Sequence, residues 1–287
     1  MHQSRQLGGR VAKEARLPGL AAWIRVLDYR QSQLDRLDQV DHYFQSAMTA
    51  QEVISSAAEN GFDHVGVATG SSWRRDGVGR WHTAPLPLGD LSVLTPDDLM
   101  AGKRPGGVGG GGGTSANMRV AVFDDDHYYM GGVLAELLCS EGYEVVLVTP
   151  AVMVSSWTVN TMEQHRIAAR LLDMGVECRC STTVLGTLGG GLRTACTYTE
   201  KEGEIEADAL VVVTSRLPED SLAQELFARQ DQWADAGLKS VTAVGDALAP
   251  GTIAAAVWSG RRYAEEIEAP TADADTTPFR RELTAVE

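Results

Sequence analysis

The sequence predicts an α/β protein with a parallel sheet, on three observations. Residues 118–149, MRVAVFDDDHYYMGGVLAELLCSEGYEVVLVT, read as strand, turn, helix and strand, the opening of a dinucleotide-binding fold. After them, short strands around VECRC, RTACTYT and EIEADALVVVTS alternate with a helix over TMEQHRIAARLLDMG, as in a layered parallel sheet. Elsewhere, VGVATG at 65–70 and VTAVGD at 241–246 are apolar runs that each deliver a small, turn-capable pair to a strand end. That is how buried parallel strands look.

Taken in order, LGGR leads into EARLPGLAAWIRVLDYRQSQLDRL, where Leu20, Trp23, Ile24, Leu27, Leu34 and Leu37 approach helical spacing. MTAQEVISSAAENGF predicts a second helix closed by Gly61. The strand HVGVATG follows, and then Pro85, Pro87, Pro96 and Pro105 punctuate the chain. Residues 106–117, GGVGGGGGTSAN, are too rich in glycine for regular structure and mark a boundary. VTAVGDALAPGTIAAAVWSGRRYAEEI reads as a strand, a Gly-Asp turn and a helix, before a polar tail. The expected division is 1–105, a linker at 106–117, 118–235, a return segment at 236–270, and a tail at 271–287.

The 287 residues suffice for about two domains, and 44% hydrophobic with 22% charged residues is a soluble globular composition. A formal charge of −14 argues against nucleic acid and anionic membrane as partners. The longest apolar runs are strand-length, and MHQSRQLGGR has no apolar signal core, so a cytoplasmic protein is expected. Cys139, Cys178, Cys180 and Cys196 have no metal-knuckle or disulfide spacing and read as reduced thiols.

The turn after residues 118–123 departs from a working dinucleotide site. Small residues are needed there so that backbone N–H groups can approach phosphate, yet Asp124, Asp125 and Asp126 occupy it. A carboxylate about 4 Å from a phosphate oxygen is repelled by roughly 1 kcal/mol in bulk water and about 4 kcal/mol at a surface-like dielectric. The acid that would hold a ribose, about 20 residues on, falls near Thr149 and Pro150. This half therefore reads as scaffold rather than an NAD(P) site.

Other groups have bland readings that outweigh the sharp ones. Asp124, Asp125, Asp126 and His127 are metal-ligand types, but consecutive side chains diverge, and a solvated acidic turn is the expectation. Cys178 and Cys180 are half of a structural zinc site and read as core. Tyr128 and Tyr129 suit either a redox-partner patch or the filling of a vacated cleft. Arg261 and Arg262 ahead of Glu265 and Glu266 read as an ion-paired helix face. No catalytic nucleophile set and no metal site is expected.

The order of ATG, an inserted nucleotide-like domain, then GD resembles flavoproteins with two dinucleotide-binding domains, the first interrupted by the second. LGGRVAKEARLPGL, WRRDGVGRWH, VLTPDDLMAG, DDDHYYMGGVLAELL, SSWTVNTMEQHRIAARLL and GDALAPGTIAAAVWSGRRYA narrow it. Over about residues 7–267 the chain resembles the C-terminal region of trimethylamine, dimethylamine and histamine dehydrogenases. The resemblance implies two Rossmann-like three-layer domains, the first discontinuous and N-terminally truncated. It implies an oxidoreductase family whose amine oxidation uses FMN in a barrel, an iron-sulfur cluster and an electron-transferring flavoprotein, with the barrel and cluster outside this sequence. It also implies ADP or FAD in the first domain, of whose site only a remnant is expected here. On the family's motifs, Gly8, Gly9 and Arg10 match its GGR, Thr69 and Gly70 its ATG, and Gly245 and Asp246 its GD. The chain alone is expected to be inactive, as a fragment or a separate subunit partnered by a barrel-containing flavoprotein. The alternative is a non-catalytic ADP-binding or redox-partner docking module.

Overall fold

A computed structural model describes residues 4–106 and 118–267. All but Gly106 of the expected glycine linker, and the expected tail, lie outside the described residues. Packing divides the chain into two units: residues 1–7, 38–71 and 218–287 form the first, and residues 8–37 and 72–217 the second. The second unit therefore includes residues 8–37 and 72–105, which the linear reading assigned to the first domain.

The second unit is built on a five-stranded parallel sheet ordered Ser92–Leu94, Ala209–Val213, Arg119–Asp124, Glu144–Val148, Glu177–Arg179. Its central strands, RVAVFD and ALVVV, are nearly continuous apolar runs because both sheet faces are covered. On one face Val120, Val122, Val145, Leu147 and Val211 pack with Met130, Leu134 and Leu138 of helix Met130–Ser140 and with Leu171 of helix Gln164–Asp173. On the other face Ala121, Phe123, Val146, Val148, Leu210 and Val212 meet Val184, Leu192 and Ile205. Those three come from an antiparallel meander, Thr182–Leu188, Gly191–Cys196 and Glu202–Glu206.

The edge strand Ser92–Leu94 is too short, and too close to Pro96, for its sequence to announce it; its register against Ala209–Val211 defines it. The helical pattern expected near the N-terminus is broken into helix Gly9–Glu14, a 3-10 turn at Ala21–Trp23 and helix Ile24–Leu34. Pro18 lacks a backbone N–H, and Gly19 adopts φ 74°, so the first turn cannot run into the second.

In the first unit, strand His64–Val67 pairs in parallel with Ser240–Ala243. Helix Ala50–Asn60 is opened by a capping box between Thr49 and Glu52 and closed by Gly61 at φ 74°. Its Ala50, Val53, Ile54 and Ala57 join Val67, Leu226, Trp233 and Val241 in one core cluster. Helix Ile253–Glu266 is capped by Thr252, and Tyr263 lies so close to Gly66 that a Cβ there would sit 2.9 Å from the ring. Among the described residues no helix is long and apolar enough to cross a membrane.

Close packing joins helix Met130–Ser140 to the central strand: a Cβ at Gly131 would lie 2.5 Å from Asp124 Cγ and 2.7 Å from its Cβ. Gly131→Ala is expected to cost about 1–3 kcal/mol by overpacking. Gly260→Ala, where a Cβ meets nothing within 4 Å, should gain up to about 1 kcal/mol from helix propensity. Urea unfolding of both variants tests this, and equal midpoints would contradict it.

Candidate functional site

Polar turns lie at the carboxyl ends of parallel strands in both units. In the second unit, strand Arg119–Asp124 delivers three aspartates to the turn before helix Met130–Ser140. Asp124 and Asp125 are fully buried, so the turn is not the solvated acidic turn expected from sequence. The amides of Asp125 and Asp126 both donate to the Val213 carbonyl, which pins the turn to the neighbouring strand. His127, at φ 64°, donates its amide to Asp124 Oδ1 at 2.9 Å. Asp124 Oδ2 is buried with no hydrogen-bond partner. Burial first, and then the charge of Asp126, push the Asp124 carboxyl up to about 7.

Asp125 points the other way. Its Oδ2 accepts the Trp81 amide at 2.7 Å, and its Oδ1 lies 3.3 Å from His127 Nε2. Gly79 is required beside it, since a Cβ there would sit 2.3 Å from Asp125 Oδ2. Asp126 is partly buried; burial raises its carboxyl, opposed by Arg216, Arg80, His127 and Arg10. Among the described residues no group of three or more His, Cys, Asp or Glu could hold a metal ion.

The two tyrosines are used internally. Tyr129 stacks edge-on against Trp23 at 4.7 Å and against Tyr128 at 4.8 Å. Its hydroxyl donates to Glu14 Oε2 at 2.7 Å. Glu14 is fully buried and its other oxygen lies 3.3 Å from Arg10 Nε. Burial, reinforced by Glu14, raises the Tyr129 phenol, so it remains a donor. Of the sequence-derived residues, Arg10 is thus an ion-pair partner of Glu14, and Gly8 lies against Leu27, where a Cβ would come within 2.5 Å. Gly9, at φ 47°, has open space at its Cβ position.

Beyond the second strand, a short knuckle turns on Ser155 at φ 49° and ends on Met162 at φ 60°. Hydrogen bonds hold it: Trp157 N–H to the His127 carbonyl, Thr158 N–H and Oγ1 to the Ser155 carbonyl, and Glu163 N–H to the Thr158 carbonyl. Val154, Ser155 and Thr158 are buried, while Trp157, Val159 and Met162 face solvent, Met162 at 88% exposure. The Arg80 guanidinium stands 5.1 Å over the Trp157 ring.

In the first unit, the parallel pairing of His64–Val67 with Ser240–Ala243 brings the ATG and GD turns together. Ser71 Oγ donates to Asp246 Oδ2 at 2.9 Å, and Gly251 N–H donates to Asp246 Oδ1 at 3.0 Å. Gly245, at φ 60°, donates its amide to Ser259 Oγ at 2.8 Å. Thr69 Oγ1 donates to the Glu219 carbonyl, and the Glu219 amide returns to the Gly70 carbonyl. Gly70 adopts φ 93° with nothing within 4 Å of a Cβ position. Thr69, Gly70, Gly245 and Asp246 therefore share one unit, while Gly8, Gly9 and Arg10 belong to the other. Sequence reasoning missed Ser71, although it directly follows the ATG turn, and it missed Glu14 and Ser155, which no local pattern marks.

Comparison with known proteins bears on the same regions. Histamine dehydrogenase from Rhizobium sp. 4-9 is 48% identical with a TM-score of 0.90, over 99% of this chain and 42% of its own. Dimethylamine dehydrogenase of Hyphomicrobium sp. (strain x) is 32% identical over 97% of this chain and 39% of its own length. The chain matches the nucleotide-domain region of amine-dehydrogenase-like flavoproteins. A third member of this oxidoreductase group, the 6-hydroxypseudooxynicotine amine oxidase from Pseudomonas geniculata N1, is 38% identical with a TM-score of 0.81, over 90% of this chain and 36% of its own. The chain covers the C-terminal part of these flavoproteins, and their catalytic parts lie outside it. No family model matches the chain.

Tyr129→Phe removes the donor to Glu14 while keeping the ring against Trp23. It should cost about 1–3 kcal/mol, because a buried carboxylate oxygen loses its partner. The urea midpoint measures it, and an unchanged midpoint would show the contact to be energetically idle.

Proposed function

We propose that this chain supplies the adenine-nucleotide-holding part of an amine-dehydrogenase-like flavoprotein, with Thr69, Gly70, Gly245 and Asp246 facing ADP or FAD. The observation that carries this reading is the convergence of two strand-end turns, joined by the Ser71–Asp246 hydrogen bond, at the carboxyl edge of a parallel strand pair. Ligands of open α/β sheets bind at such edges. The open space at Gly70 lets backbone approach a phosphate or ribose there, so the residues present fit the group. Asp246, fixed through both oxygens, orders the turn around Gly245. The aspartate turn of the second unit disfavours a nicotinamide nucleotide by charge repulsion.

FMN and iron-sulfur chemistry are assigned to a barrel-bearing portion or subunit, with an electron-transferring flavoprotein as electron acceptor. A bound FAD would supply a two-electron carrier; ADP would supply none. Docking of a redox partner is the second reading, favoured by the solvent-facing Trp157, Val159 and Met162.

Isothermal titration should show the chain binding ADP or FAD, and Asp246→Ala, with its circular dichroism unchanged, should weaken that binding about 10-fold or more, about 1.4 kcal/mol. No heat with either nucleotide would overturn the reading. The purified chain should leave a redox dye unreduced in the presence of dimethylamine or histamine, and bleaching would show that its chemistry is not carried elsewhere.

A further inference from the structure

The Asp124 carboxyl is one buried acid that the reading above leaves without a role. It is fully buried, with one oxygen on the His127 amide and the other on nothing. Gly131 leaves the carboxyl its space and supplies no charge. The first turn of helix Met130–Ser140 contains no acidic residue, and Ser155 of the knuckle has its own Oγ buried without a partner. The charged groups acting on Asp124 lie on its own turn: Asp126 and Asp125 oppose its ionisation, and His127 favours it. From other elements, Arg216, Arg80 and Arg10 act on Asp126.

The same turn holds the knuckle. Asp124 accepts the His127 amide, and the His127 carbonyl accepts the Trp157 amide, so two hydrogen bonds link the buried carboxyl to a segment with left-handed Ser155 and Met162. Non-glycine residues held at positive φ are strained, and the strain is released when their neighbours let go.

We propose that the Asp124 turn is a proton-operated latch: with the carboxyl protonated the turn stays seated against Gly131 and anchors the knuckle through His127, and loss of the proton favours an open turn with the carboxylate in water. The direction follows from linkage. A carboxyl raised to about 7 in the seated turn, and lying near its ordinary 3.8 once opened, makes opening more frequent as pH rises between those values. Above the seated value both forms are ionised, and the dependence ceases.

Hydrogen exchange on the full chain, read by mass spectrometry and corrected for intrinsic rates, tests the latch in the segments 124–132 and 155–162. Opening should rise about 10-fold per pH unit from about pH 5 to about pH 7 and then level off. In Asp124→Asn, an uncharged side chain of the same shape, the slope should vanish. A flat wild-type profile overturns the proposal, as does an unchanged slope in the variant, which would assign the titration to a group other than Asp124. Should the variant fail to fold, the carboxyl ¹³C shift of Asp124 in the wild-type chain decides: a midpoint near neutrality supports the latch, and full ionisation already at about pH 5 overturns it.

Discussion

The second unit depends on a close approach: the first turn of helix Met130–Ser140 must lie almost on the end of strand Arg119–Asp124. Gly131 makes that approach possible, and Asp124 fills the space it leaves. Everything else at this edge follows from that fit. The turn has no room to spread, so it takes its amide partner from within, and His127 enters the left-handed region to supply it. The neighbouring acid is driven to the other side of the sheet, where the Trp81 amide receives it. A turn that in other proteins of this shape is open to an anion is here closed on its own carboxyls.

The first unit meets a different constraint. Its two strands are separated by most of the chain, and the His64–Ser240 side-chain contact spans 176 residues. Closing so long a loop carries an entropic cost that grows only slowly with length. The pair is held by the cluster of Val53, Ile54, Leu226 and Trp233 and by the polar clasp of Ser71, Asp246 and Gly251. Asp246, fixed through both of its oxygens, is therefore a structural anchor of its turn.

The parallel sheet was legible from the sequence because its central strands are apolar on both faces, which gives runs such as VAVF and ALVVV no alternation to confuse. The turns at Gly70 and Gly245 were legible because left-handed backbone selects glycine. Other features were not. Ser92–Leu94 owes its existence to a neighbour more than a hundred positions away, and no local pattern encodes such pairing. Glu14 reads as a surface helix residue until Tyr129 and Arg10 enclose it. The burial of Asp124 and Asp125 was hidden for a related reason. Acidic residues in a turn are solvated by default, and only the glycines at 79 and 131 show that protein atoms take the place of water.

The split of the chain between the two units bears on the order in which it can be built. The strands of the five-membered sheet lie between Ser92 and Val213, so a ribosome delivers all of them before Ser240–Ala243 has been synthesised. His64–Val67 emerges before those strands and must wait for its partner with an unpaired edge. Vectorial synthesis thus makes the sandwiched sheet the earlier of the two to complete, and leaves the nascent His64 segment in need of protection for the interval in which some 170 further residues are translated.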